Sequence, residues 1–86
     1  MSKLIFEERA WEDYLYWQIQ DKKLLKKINS LLKDISRNTY EGIGKPEPLK
    51  DNLSGYWSRR IDEKNRLVYT EKDGSIIIVA CKGHYE

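Results

Sequence analysis

One histidine, one cysteine, two prolines and five glycines are all that this 86-residue chain holds of the residues that make metal sites, disulfides and abrupt turns. A single cysteine, Cys81, closes no internal disulfide, so a reducing cytoplasm is the expected compartment. One histidine beside one cysteine supplies too few ligands for a zinc centre, and no metal or other cofactor is expected. No apolar run approaches the roughly 20 residues that a membrane-spanning helix needs. The opening MSKLIFEERA is too acidic, and its apolar part too short, for a signal peptide. Membrane partners are therefore not expected. Charge of one sign is also scarce: 16 basic residues against 14 acidic give a net +2, which alone implies no nucleic acid. What is present, 40% hydrophobic and 35% charged residues, suits one globular domain over residues 1–86 with a single modest core.

The charges are unevenly spread. Residues 1–44 carry eight basic and seven acidic side chains, residues 45–66 six and four, and residues 67–86 two and three. The middle stretch includes Arg59 and Arg60 in succession. Such a basic stripe can track a phosphate backbone. A solvated face with interspersed ion pairs would produce the same letters.

Periodicity orders the elements. KLIFE reads as a short strand. In ERAWEDYLYWQI, residues Trp11, Tyr14, Leu15, Gln18 and Ile19 recur at helical spacing, which predicts that this line faces the core. Asp21 is placed to cap a second helix, in which Leu24, Leu25, Ile28, Leu31, Leu32 and Ile35 form a wide apolar stripe. Both prolines and two of the glycines fall in NTYEGIGKPEP, a loop or extended crossing. Beyond it the period changes to two. GYWSRRI, RLVYTEK and SIIIVACK read as strands joined by the short polar links DEKN and DG, hence as an antiparallel meander. IIIVA is apolar throughout, which predicts a central strand buried on both faces. The expected fold is α+β: a small twisted, mostly antiparallel sheet with two helices from the N-terminal half packed on one face.

The opposite sheet face then needs a role. Alternation along YWSRRI sends Tyr56, Ser58 and Arg60 one way and Trp57, Arg59 and Ile61 the other. Arg66 opens the next strand, and His84 follows the strand rich in isoleucine. A lone histidine there is ordinarily just solvated, but the strand before it can hold it near the sheet. Arginines, aromatics and one imidazole on a single surface suit RNA. Cutting RNA with side chains alone needs a base for the ribose 2′-hydroxyl, cations for the phosphoryl oxygens and an acid for the departing 5′-oxygen. Glu47, between Pro46 and Pro48, is a candidate base; Lys50 and Arg66 are candidate charge stabilisers; His84 is the candidate acid. Each has an ordinary alternative, Arg66 for instance in an ion pair with Asp62 or Glu63.

The series WEDYLYWQIQDKK, GIGKPEPLKDNLSGYWSRRIDEKNRLVY and closing HY resembles the YoeB-type toxins of bacterial toxin–antitoxin modules, within the RelE-like superfamily, nearly from end to end. The resemblance implies a ribosome-dependent endoribonuclease that enters the A site and cleaves bound mRNA. It also implies a homodimer and a cognate antitoxin that acts by distorting the tail. Carried over by motif, Glu47 is the general base, Lys50 lies near the phosphate, Arg66 stabilises charge and His84 is the general acid. Tyr85 shapes the site or stacks on a base, and one or both of Arg59 and Arg60 touch RNA backbone. The chain departs from the expected HY ending by carrying Glu86. Two other readings remain open. One is a binder that blocks the A site without chemistry, and the other is a protein-interaction module docking through Trp11 and Trp17.

Overall fold

The computed structural model describes residues 3–84. Strand β1 (Lys3–Phe6) leads into helices α1 (Glu8–Gln20) and α2 (Lys22–Arg37). A crossing segment ends in the two-residue strand β2 (Glu47–Pro48), followed by β3 (Trp57–Arg60), β4 (Arg66–Lys72) and β5 (Ser75–Ala80). The sheet order is β1-β5-β4-β3-β2, with β1 parallel to β5 and every other pairing antiparallel. This is the expected α+β architecture, with a short extra strand where the sequence suggests only a crossing.

One residue separates the helices. The Asp21 backbone N–H donates to Trp17 O and ends α1, while its carboxylate accepts from the Lys23 and Leu24 amides at 3.1 and 3.2 Å and starts α2. These amides have no partner within the helix, so the cap contributes about 1 kcal/mol. The α2 stripe packs as its spacing predicts: Ile28, Leu31, Leu32 and Ile35 are buried, with Leu24 and Leu25 against them. Each such side chain removed from water stabilises the fold by about 1.5–3 kcal/mol.

Helix α1 is rotated from its expected orientation. Ala10 and Trp17 are its buried residues, whereas Trp11, Leu15 and Ile19 are 48%, 39% and 81% exposed. The buried line differs from the expected one by about one residue, or 100° of helix. Ala10 is small enough for the helix to sit close on the chain after β5, where Cys81 Sγ lies 3.7 Å from Ala10 O. Trp17 buries its ring and donates Nε1–H to Cys81 O at 2.8 Å. Packing and a hydrogen bond choose the face here, and hydrophobicity alone does not reveal it.

Strand β5 also differs in detail. It lies inside the sheet between β1 and β4, but β4 is the middle strand. Ile76, Ile78 and Ala80 are buried toward the helices, while Ile77 and Val79 are half-buried on the other face. The β4–β5 hairpin turns at Asp73 and Gly74, both at positive φ, the twist that favours a tight two-residue link.

Candidate active site

Register sorts the site residues by face. Glu47 lies opposite Ser58, Ser58 opposite Val68, and Arg60 opposite Arg66. Directly opposed residues project to the same face. The intervening residues Arg59, Leu67 and Tyr69 go to the helix layer, where all are fully buried. Glu47, Arg60 and Arg66 therefore share the face turned away from the helices. Two strand spacings across and two residues along put the Glu47 and Arg66 Cα atoms about 12 Å apart.

Like charges directly opposed across a ladder destabilise it, yet Arg60 and Arg66 occupy such a pair. Among the described residues neither is in an ion pair with a carboxylate. Arg66 Nη1 instead donates to the Asp62 and Asn65 carbonyl oxygens at 2.6 and 3.1 Å, which aims the guanidinium without neutralising it. An anion lying between the two arginines would relieve their repulsion. Beside Arg60 an open depression of about 350 Å³ carries Lys27 and Lys45 on its rim, together with Asp62 and Glu63.

The segment before His84 is held from two sides. On the α1 side, Cys81 N–H donates to Asp13 Oδ2 at 3.0 Å, Cys81 O accepts from Trp17, and Lys82 O accepts from Arg9 at 3.0 Å. On the β4 side, Gly83 O accepts from Arg66 N–H at 2.8 Å, and Gly83 N–H donates to Asn65 Oδ1 at 2.9 Å. His84 is exposed and comes directly after. It thus starts one residue from a backbone bond to Arg66. Tyr85 and Glu86 lie outside the described residues.

Not every expected residue converges. Lys50 is exposed and lies past the end of β2, on the side of Glu47 away from Arg66, where it leads into a short 3₁₀ turn (Asp51–Leu53). Arg59 is corrected outright: it is 0% exposed and turned to the helix layer, so it offers nothing to an RNA backbone. Its guanidinium donates to the Asp34 carboxylate, the Tyr69 hydroxyl, and the Asn38, Glu41 and Ile43 carbonyls. Those carbonyls belong to the crossing that delivers Glu47. Two glycines let this segment approach. A Cβ on Gly42 would lie 1.9 Å from Asp34 Oδ2, and one on Gly44 would lie 2.8 Å from Leu31 Cδ2.

The electrostatics agree with that division. The Arg59 hydrogen bond is the main influence holding the Asp34 carboxyl below its usual range. Burial raises the Tyr69 hydroxyl despite the opposing effect of Arg59. Burial, with Asp13 adding to it, pushes the Cys81 thiol up to about 12. Among the described residues no group of three or more His, Cys, Asp or Glu is placed to hold a metal ion.

A sequence profile described as the YoeB-like toxin of bacterial type II toxin–antitoxin systems matches residues 6–85. The chain belongs to this family. It is 61% identical over 83 residues to the toxin YoeB of Escherichia coli strain K12, covering 96% of this chain and 99% of that one. A solved YoeB dimer from Staphylococcus aureus is 58% identical, covers 98% of both chains and superposes with a TM-score of 0.90. A YoeB–YefM complex from the same organism is 56% identical, covers 99% of both chains and also gives 0.90. The YoeB-like fold is thus the one read from periodicity.

Asn65 is the contributor that sequence reasoning missed. Its place in DEKN signals only a polar turn, and its bond to Gly83 joins residues 18 apart. The interior position of Arg59 was available from alternation, which puts it with Trp57 and Ile61. Trp17, envisaged beside Trp11 as a docking residue, is buried under the tail and is not part of the surface.

Proposed function

We propose that this YoeB family member is a ribosome-dependent endoribonuclease, which cuts messenger RNA in the A site and so stops translation. Glu47 takes the proton of a ribose 2′-hydroxyl, whose oxygen then attacks the adjacent phosphorus. Arg66 and Arg60 stabilise charge on the phosphoryl oxygens, and an arginine fork can engage two of them together. The P–O5′ bond breaks as His84 gives its proton to the leaving oxygen. A 2′,3′-cyclic phosphate and a free 5′-hydroxyl remain. Lys50 meets a phosphate further along the strand, and Tyr85 stacks on a base. All of these roles fall to side chains, with no cofactor assigned.

The reading is carried by the Arg66 N–H to Gly83 O hydrogen bond of 2.8 Å, which starts the histidine beside the arginine pair that faces the same way as Glu47. Relatives solved as a dimer and as a complex with YefM support a homodimer and an antitoxin partner for this chain. None of the helices is long and apolar enough to cross a membrane among the described residues. A cytoplasmic site of action is the one the proposed target requires.

Primer extension on messenger RNA after brief expression tests the reading, with wild type run beside His84→Ala. Wild type should leave cuts inside reading frames, and His84→Ala should leave messages whole while still binding ribosomes. Arrested cells with intact messages would sink the nuclease and favour a blocker of the A site.

A further inference from the structure

The β3–β4 turn contains a side chain with no role in the proposed chemistry that bonds directly to the segment carrying His84. Asp62 Oδ1 accepts from the Lys64 and Asn65 amides at 2.8 and 2.7 Å, which folds the turn on itself. Asn65 Nδ2 in turn donates to Asp62 Oδ1 and Oδ2 at 3.1 and 3.3 Å. That leaves one orientation for the carboxamide: the nitrogen toward Asp62 and the oxygen toward Gly83, whose N–H it accepts at 2.9 Å. The next residue along the turn, Arg66, donates its own N–H to Gly83 O. Consecutive residues 65 and 66 thus take both backbone groups of a single glycine.

Gly83 is at φ +92, where a residue with a side chain is strained, although an added Cβ would meet only Arg9 Nη2 at 3.7 Å. The limit on this position is therefore rotation, not space. Glycine also has the greatest freedom to rotate once a bond is lost. Removal of the Asn65 acceptor leaves Gly83 attached on the β4 side through its carbonyl alone, and the imidazole is on the very next residue.

We infer that Asn65 is a positioning residue: its carboxamide fixes Gly83 and thereby sets where His84 stands relative to Arg66. The inference rests on the nuclease reading given above for its effect on rate, but not for the bond itself. Misplacing a reacting group by about 1 Å can cost 100-fold. Loss of one of two bonds, with the α1 contacts intact, is expected to lower kcat about 10-fold.

The test compares wild type, Asn65→Ala and the exchanged pair Asp62→Asn with Asn65→Asp. The exchanged pair keeps an acceptor for Gly83 N–H and a donor facing it across the turn. Cleavage of ribosome-bound message and hydrogen exchange of the Gly83 amide are measured on each, with Tm as a control. Asn65→Ala should lower kcat about 10-fold with KM within about twofold, leave Tm nearly unchanged and speed Gly83 exchange. The exchanged pair should restore kcat and slow exchange. Wild-type kcat in Asn65→Ala, or slowed Gly83 exchange at wild-type Tm without restored kcat in the pair, would overturn the assignment. Should wild type itself not cleave, the nuclease reading fails and the exchange arm decides alone: unchanged Gly83 exchange in Asn65→Ala overturns the clasp, and faster exchange sustains it.

Discussion

Replacing Arg59 by alanine should cost this protein much of its stability, although the residue lies in the most basic stretch of the chain. The guanidinium is wholly buried and donates to a carboxylate, a tyrosine hydroxyl and three backbone carbonyls. Alanine leaves the Asp34 carboxylate without its cation, the carbonyls of the crossing without this donor, and a cavity where a fully buried side chain stood. Breaking such a pair from one side costs about 3–5 kcal/mol. A domain of this size has about 5–10 kcal/mol in total. At about 4–8 °C per kcal/mol, Tm should fall by roughly 12–40 °C. Calorimetry or a far-ultraviolet melt reads this directly, with exposed Arg60→Ala as the comparison, expected within about 0.5 kcal/mol of wild type. A pH series adds a sign. Because Arg59 holds the Asp34 carboxyl below its ordinary 3.8, the stability from that pairing is fully present above 3.8. It is lost as pH falls through the lower folded value, and Arg59→Ala should lack that acid-side loss. An Arg59→Ala melt within about 5 °C of wild type would refute the reasoning.

The remaining expectations concern the site, the thiol and the cap. Glu47→Gln keeps the shape of the side chain but cannot take a proton, so cleavage should fall about 10²–10⁴-fold while ribosome binding persists; equal losses of both would point to misfolding. Cys81, with its thiol raised to about 12 and fully buried, should resist a thiol reagent at pH 8 until denaturant is added. Rapid labelling of native protein would contradict that placement. Asp21→Ala should lower stability by about 1 kcal/mol, measured by urea titration, since two α2 amides lose their acceptor.

The parts of the molecule legible in the sequence were those with a local cause. Asp21 precedes a strong apolar stripe, and a cap acts within three residues. The DG hairpin and the change of period to two likewise act over short distances. The facing of α1 was not legible. Trp11, Leu15 and Ile19 are more apolar than Ala10 and Asp13, but the close approach of Ala10 and the bonds of Asp13 and Trp17 to Cys81 depend on a partner about 65–70 residues away. Distance in sequence also hid Asn65. Among the proposed site residues, the assignments of Glu47, Arg66 and His84 come from chemistry and resemblance together. Arg59 shows where motif and physics part: identical charge beside Arg60, but alternation turns it inward to the α2 carboxylate.

The parallel pairing of β1 with β5 has a consequence for biosynthesis. Among the described residues β1 has no sheet neighbour except residues 75–80, so a growing chain holds it unpaired until that segment is made. Only when that late segment emerges can β1 join the sheet and Trp17, Asp13 and Asn65 grip residues 81–83. The segment before His84 is therefore gripped from the α1 side only by residues made 64 to 73 positions earlier.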